Sequence, residues 1–541
     1  MGNDLWSALR SNPRVLEIDL HRVTYLGSGG GRAFLSTLRA ARPHGTRVIV
    51  THTSAQAFGT GVTSEEVLDA CGSAPASPGT GTPVPVHESD KRGDRLRGRT
   101  EVESVRPTCR PRSFEGCRTV MPLLRSGPAR GLLCLLTVVA FLAEAVNAAG
   151  SVAAPAGASP QGDFYRYPSR RTLERSSPGH LLASEPMTVS TRLQSVSSRA
   201  MRIMYRSVGL HGEPIDVTGF LLVPRGAAPR GGWPVISWGH GATGVGPVCA
   251  PSRHANLYPS SDQYAETDMI EHLVQDGYAV VGTDYPGLGF PDTVENFPQT
   301  DLESRSAIDA VLAARQAPTQ LGRQWFAVGH SQGATPVLRV GEDAARWAPG
   351  LRFLGTVALA PPSHFAAVMD ETGAARPPVN VGLAVLGSYI AVGARLYSPR
   401  IQYTNVLAPQ LAAQIPLAKK LCADELDIYL NNVQLQRIGN PHWARNATLR
   451  RFIDSLEPAK GRSAGPILLQ QGERDQTVPV EVTTALNKEL CDLGDVVNYR
   501  IYADANHESV LSASYKDVAA WLRDRLQGQP APSTCQSRAA H

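Results

Sequence analysis

The chain has 541 residues, of which 42% are hydrophobic and 19% charged, enough apolar mass for a large buried core and more than one structural unit, which excludes a wholly disordered chain. The formal net charge of +5 sits on the N-terminal side: residues 1–120 carry 16 Arg or Lys against 12 acids, residues 121–148 carry two against one, and about zero remains beyond. A nucleic-acid partner therefore has no electrostatic footprint in the large C-terminal part.

Taken in order, residues 15–20 (VLEIDL) predict a strand, the run Gly27-Ser28-Gly29-Gly30-Gly31 a turn, residues 32–41 an amphipathic helix and residues 46–51 a second strand. This stretch resembles part of a STAS domain, the fold of anti-sigma-factor antagonists. In that family an Asp-Ser-Ser-Gly turn carries the phosphorylated serine. Here Gly27 stands in place of the acid, with Ser28 and Gly29 on the serine positions. With the opening strand also missing, residues 1–73 read as a truncated STAS-like segment, and a STAS-type regulatory protein would require Ser28 in an intact module. Residues 74–120, rich in Pro, Ser, Gly and Arg without periodicity, read as a disordered linker.

Residues 131–143 (GLLCLLTVVAFLA) form an uncharged apolar run preceded by Arg125 and Arg130 and followed by Val146-Asn147-Ala148-Ala149. A spanning helix needs about 20 apolar residues. The shorter run with small residues behind it predicts a signal peptide over residues 121–148, cleaved after Ala148, and hence a secreted product. Met121, just ahead of the basic region, is then a candidate initiator.

From residue 149 to 541 short apolar runs alternate with amphipathic stretches, the βαβ pattern of a parallel sheet flanked by helices. Strands are expected at 201–207, 216–223, 234–238, 278–284, 325–330, 353–359, 467–471 and 497–502, a mostly parallel eight-stranded sheet of the α/β-hydrolase type. Gly329-His330-Ser331-Gln332-Gly333 fits G-x-S-x-G and lies between the apolar run 325–328 and a helix over 334–347. The two glycines suit a sharp strand-to-helix turn that leaves the serine hydroxyl exposed.

A serine hydroxyl needs a base to take its proton and an acid to orient that base. Asp475, on the loop after the strand at 467–471, is the expected acid, with Glu473 and Asp504 as rivals. His507, just past the last strand, is the expected base, while His240 and His330 flank the site without suitable chain order. The backbone N–H of Gln332 would supply one oxyanion donor, and the loop Gly239-His240-Gly241-Ala242-Thr243-Gly244 the second. This chemistry calls for no metal and no cofactor. A peptidase or acyltransferase on the same scaffold would use the same residues.

Several stretches together resemble the secretory lipase family, the lipase A-like branch of α/β hydrolases, over most of residues 160–525. They include Asp163-Phe164-Tyr165, Pro178-Gly179-His180-Leu181-Leu182, Gly219-Phe220-Leu221-Leu222-Val223-Pro224, Cys249-Ala250-Pro251-Ser252, the run 277–285 and the elbow itself. The resemblance implies a triacylglycerol lipase or carboxylesterase acting on acylglycerols or other lipid esters, at a lipid–water interface. It points to Thr243 as the second oxyanion donor and implies a helical cap over about 361–464. The apolar stretch 379–397 would then either close an acyl-binding cleft or pack on the core. Of eight cysteines, Cys249, Cys422, Cys491 and Cys535 lie in the exported part, an even number that suits an oxidising compartment and allows three pairings. The resemblance favours Cys249 with Cys422 and Cys491 with Cys535.

Overall fold

The computed structural model describes residues 164–259 and 264–535, together with two strands, β1 (Val15–Asp19) and β2 (Arg47–Thr51). β1 and β2 pair in parallel, Val15 opposite Arg47 and Asp19 opposite Thr51, as a two-stranded sheet of their own. The expected turn at 27–31, the helix at 32–41, the linker and the apolar run at 131–143 lie outside the described residues.

Nine strands make the main sheet: β3 (Leu181–Pro186), β4 (Ser197–Val208), β5 (Pro214–Pro224), β6 (Trp233–Gly239), β7 (Ala279–Thr283), β8 (Leu321–His330), β9 (Arg352–Leu359), β10 (Ile467–Gly472) and β11 (Val497–Tyr502). Their spatial order is β11-β10-β9-β8-β6-β7-β5-β4-β3. The six strands from β11 to β7 run parallel, and β5, β4 and β3 join antiparallel. Sequence patterning predicts eight strands; the ninth is β3. It is an edge strand in which no residue is fully buried, so Leu181–Pro186 shows no continuous apolar run to betray it.

Alternation of side chains builds two cores from one set of strands. Along β8, Trp325 and Ala327 face helices Thr300–Ala314 and Ala334–Trp347 through Ala307, Ile308, Val337 and Leu338. Phe326 and Val328 point the other way, toward Met269 and Leu273 of helix Tyr264–Gln275 and Leu511 and Trp521 of helix Ser509–Leu526. With both faces covered, the central strands are mostly apolar along their length, as buried parallel strands tend to be.

Between β9 and β10 the chain leaves the sheet and forms a helical insertion with its own core, built on Phe365–Ala374, Val381–Tyr397, Ala423–Asn431 and Ala447–Ser455. Its entrance and exit are fastened together. The two carboxylate oxygens of Glu457 accept from the backbone N–H groups of His364 and Phe365, both at 2.8 Å, which occupies orphan donors at the first helix's start. Asn380 caps the second helix by accepting from Leu383 N–H at 3.2 Å. Helix Val381–Tyr397 packs within this core through Tyr389, Ala391 and Val392 while Leu383, Leu386 and Ile390 line a cleft.

Candidate active site

The site lies at the C-terminal ends of three parallel strands, where ligands bind in open α/β sheets. β8 ends at His330, and Ser331 follows with φ 52°, a left-handed conformation rare for a residue with a side chain. Such strain costs about 1–3 kcal/mol and persists only where the surroundings impose it. The surroundings here are glycines: a Cβ on Gly333 would fall 2.1 Å from the carbonyl oxygen of Gly239, and one on Gly329 would fall 2.4 Å from that of Gly333. The chain doubles back so tightly that only Gly fits on either side, and Ser331 is left facing the cleft.

β10 leads into the loop carrying Asp475, and β11 into the loop carrying His507. His507 Nε2 lies 2.8 Å from Ser331 Oγ and its Nδ1 lies 2.7 Å from Asp475 Oδ2. The His507 turn is fixed by a reciprocal pair in which Asn506 N–H donates to Ser509 Oγ and Ser509 N–H to Asn506 Oδ1, both at 2.8 Å. Asp475 also accepts from Gln471 Nε2 at 3.0 Å and from the N–H groups of Thr477 and Val478 at 2.8 Å. Burial alone would raise this carboxyl, but the His507 contact and those donors outweigh it and hold it below the ordinary aspartate value. The two rivals turn to solvent: Glu473 is exposed, and Asp504 pairs with Arg474 at 2.7 Å on the surface.

Gln332 directly follows Ser331 in the chain, and its side-chain Nε2 donates to Glu295 Oε1 at 2.6 Å and Glu303 Oε1 at 3.0 Å. Both glutamates are buried. Burial pushes Glu303 up to about 8, and burial followed by the Glu303 charge raises Glu295 well above its ordinary value. This acid pair left no trace in the sequence reading, because the two residues belong to a loop and a helix remote from the motif.

The loop after β6 approaches Ser331 through Gly241, where a Cβ would stand 3.5 Å from the serine Cβ. Thr243 is fully buried and its carbonyl accepts from Ala423 N–H at 2.9 Å. Its hydroxyl meets no hydrogen-bond partner among the described residues, and it does not line the cleft. The small residues of this loop answer to more than the substrate: Gly244, at φ 125°, passes a disulfide so closely that a Cβ would fall 2.7 Å from Cys249 Sγ. That disulfide joins Cys249 to Cys422, and a second joins Cys491 to Cys535.

Above Ser331 opens a cleft of about 820 Å³ including its mouth. Phe365, Met369, Leu383 and Ile390 from the insertion face Phe297 and Val478 from the sheet side, and among the described residues no charged one lines it. The chain is thus an α/β hydrolase in fold, with a hydroxyl, an imidazole and a carboxylate in hydrogen-bonded series beneath an apolar cleft.

Comparison with known proteins agrees. A secreted triacylglycerol lipase of Malassezia globosa is 22% identical over 419 residues, 74% of this chain and 88% of the relative. A probable inactive lipase of Mycobacterium tuberculosis is 24% identical over 349 residues, 61% of this chain and 74% of that protein. Among solved structures, Candida antarctica lipase A in its closed state superposes with a TM-score of 0.58 at 17% identity, over 70% of this chain and 89% of that one. The rice cell wall degrading esterase LipA of Xanthomonas oryzae gives 0.51 at 20% identity, over 66% of this chain and all (100%) of that one. The secretory lipase family model matches residues 253–534. The chain belongs to the secretory lipase family, and it is an exported carboxylic ester hydrolase.

Proposed function

We propose that this enzyme hydrolyses esters of lipid-like acids, acylglycerols among them, through an acyl-enzyme formed on Ser331. His507 takes the proton of Ser331 as the hydroxyl attacks the ester carbonyl, and Asp475 holds the imidazole in the tautomer that presents Nε2 to the serine. The developing oxyanion is held by the N–H of Gln332 and by a second donor from the loop after β6, with Thr243 the residue the family resemblance names. His507 then returns the proton to the leaving alcohol, and water, activated by the same imidazole, releases the acid. The single observation carrying this reading is the unbroken series from Ser331 Oγ through His507 to Asp475 at 2.8 and 2.7 Å. The apolar cleft above it supports an acyl chain as the group bound. Mere kinship would not suffice, since one relative is a probable inactive lipase.

Organisation follows the same reading: residues 121–148 act as the export signal and residues 149–541 as the mature enzyme, with the insertion at about 361–464 as its cap. N-terminal sequencing of the secreted product tests this, and a start near Ala149 is expected. For the chemistry, nitrophenyl esters of increasing acyl length are assayed on wild type and Ser331→Ala. Turnover rising from acetyl toward longer chains in wild type, and absent in the variant, is the expected result; residual wild-type rates in Ser331→Ala would end the proposal.

A further inference from the structure

One buried group near the site plays no part in that mechanism. Glu266, on helix Tyr264–Gln275, is 1% exposed and accepts from Gly241 N–H with Oε1 at 3.0 Å and Oε2 at 3.3 Å. Its Oε1 also lies 2.9 Å from Nδ1 of His330, the residue preceding Ser331, and the other ring nitrogen of His330 lies 2.9 Å from the backbone carbonyl of His507. Three segments that must converge for catalysis therefore meet on one side-chain pair: the loop after β6, the elbow and the turn carrying the base.

We propose that Glu266 and His330 are positioning residues, a buried charged tether that keeps the Gly241 loop, the elbow and His507 in register. A charged pair meets every donor and acceptor position. The carbonyl of His507 can only accept, so Nε2 of His330 must carry hydrogen. An ionised Glu266 accepts from Gly241 and can only accept again, so Nδ1 then carries hydrogen as well. Both conditions together describe an imidazolium paired with a carboxylate, away from water.

The surrounding charges favour the same state. Burial alone would lower His330, but the hydrogen bond and charge of Glu266, with a further contribution from Glu508, push it up to about 9. His240, Tyr258 and Tyr285 also lie beside Glu266, and the ring of His507 lies 4.9 Å from that of His330. Burial lowers His240 and raises Tyr258 and Tyr285 well above their ordinary value, so these three stay neutral and leave the pair's charge balance intact. With Glu266 ionised, a neutral His330 would have a single N–H and would have to release either Glu266 or His507. Because the imidazole of His507 already lies 2.8 Å from Ser331 Oγ, a shift of about 1 Å in its backbone is enough to cost on the order of a hundredfold in rate.

The inference rests on Ser331 and His507 being nucleophile and base, and its test is separate from theirs. In His330→Leu, which removes both donors, kcat should fall by about tenfold or more while KM changes by less than about threefold, because substrate contacts are untouched. His330→Gln, which keeps one donor and cannot titrate, should recover part of kcat. The wild-type fall in kcat as pH passes about 9 should be missing from its profile. Full kcat in His330→Leu, a loss confined to KM, or an unchanged alkaline limb in His330→Gln would each overturn the tether. Should either variant fail to fold, NMR of the ring nitrogens of His330 in Ser331→Ala decides the matter: an imidazolium at neutral pH is expected, and a neutral ring refutes it. Activity persisting in Ser331→Ala would sink the triad reading instead.

Discussion

Asp475 is buried with four donors on its two oxygens, so its charge and its direction are both fixed before substrate arrives. Asp475→Asn keeps the shape but turns an N–H toward His507 or forces the other tautomer. The variant should lose kcat by a factor on the order of 10⁴ with little change in melting temperature, as ester turnover and thermal unfolding would record; a loss under about tenfold would show that another group orients the base. Glu303 behaves oppositely. Its ordinary carboxyl value of 4.5 rises to about 8 in the fold, so between those pH values the folded protein holds a proton that the unfolded chain has released. Stability must then decline as pH rises through that window. Glu303→Gln cannot ionise, so its melting temperature should gain on wild type steadily from pH 5 to pH 8 in a thermal-shift series; parallel curves would show that Glu303 is ionised throughout. Glu303, His330 and Asp475 share one lesson: a buried group takes its protonation from the balance between burial and the partners it meets there.

At the scale of elements, helix Val381–Tyr397 shows how a single hydrogen atom in place of a methyl positions a wall of the cleft. A Cβ on Gly393 would stand 1.6 Å from the backbone carbonyl of Phe297, so helix and loop touch with nothing between them. In an exposed helix Gly→Ala stabilises by about 1 kcal/mol. At Gly393 the backbone collision reverses the sign, and Gly393→Ala should lower the melting temperature and raise KM for long acyl esters, since Phe297 and Ile390 both line the cleft. Gly387, on the same helix, has room, with Ile438 and Leu407 carbons at 3.4 and 3.5 Å; Gly387→Ala should therefore match or exceed wild-type stability. Equal effects at the two positions, read by differential scanning calorimetry, would refute this account. Sequence patterning finds this helix and most strands because burial on both faces writes long apolar runs. It does not find β3, whose half-exposed edge writes none, nor the contact at Gly393, which depends on a residue far away in the chain.

On the scale of the molecule, the Cys249–Cys422 disulfide joins residues 173 apart and fastens the loop after β6 to the insertion, beside the hydrogen bond from Ala423 to Thr243. Closing so long a loop restricts the unfolded chain, and such bridges typically contribute 2–4 kcal/mol. Cys422→Ser should lower the melting temperature by more than Cys491→Ser, whose bridge spans 44 residues at the sheet's far edge, and should weaken turnover of long acyl esters selectively. Comparing both variants by calorimetry and ester kinetics checks it, and equal losses would count against a cap held by that bond. Ser331, Asp475 and His507, the proposed nucleophile, acid and base, could be picked out of the sequence because each follows a strand directly, and the strand pattern is local. Sequence alone therefore determined eight of the nine strands of the main sheet, the elbow and the chain order of Ser331, Asp475 and His507. Glu266, Glu295, Glu303 and the closeness of Gly244 to a disulfide were decided only by tertiary structure, since each acts on residues it meets in space and not along the chain. Side chains buried by distant segments take their charge and their partners from that burial, which no run of neighbouring residues encodes.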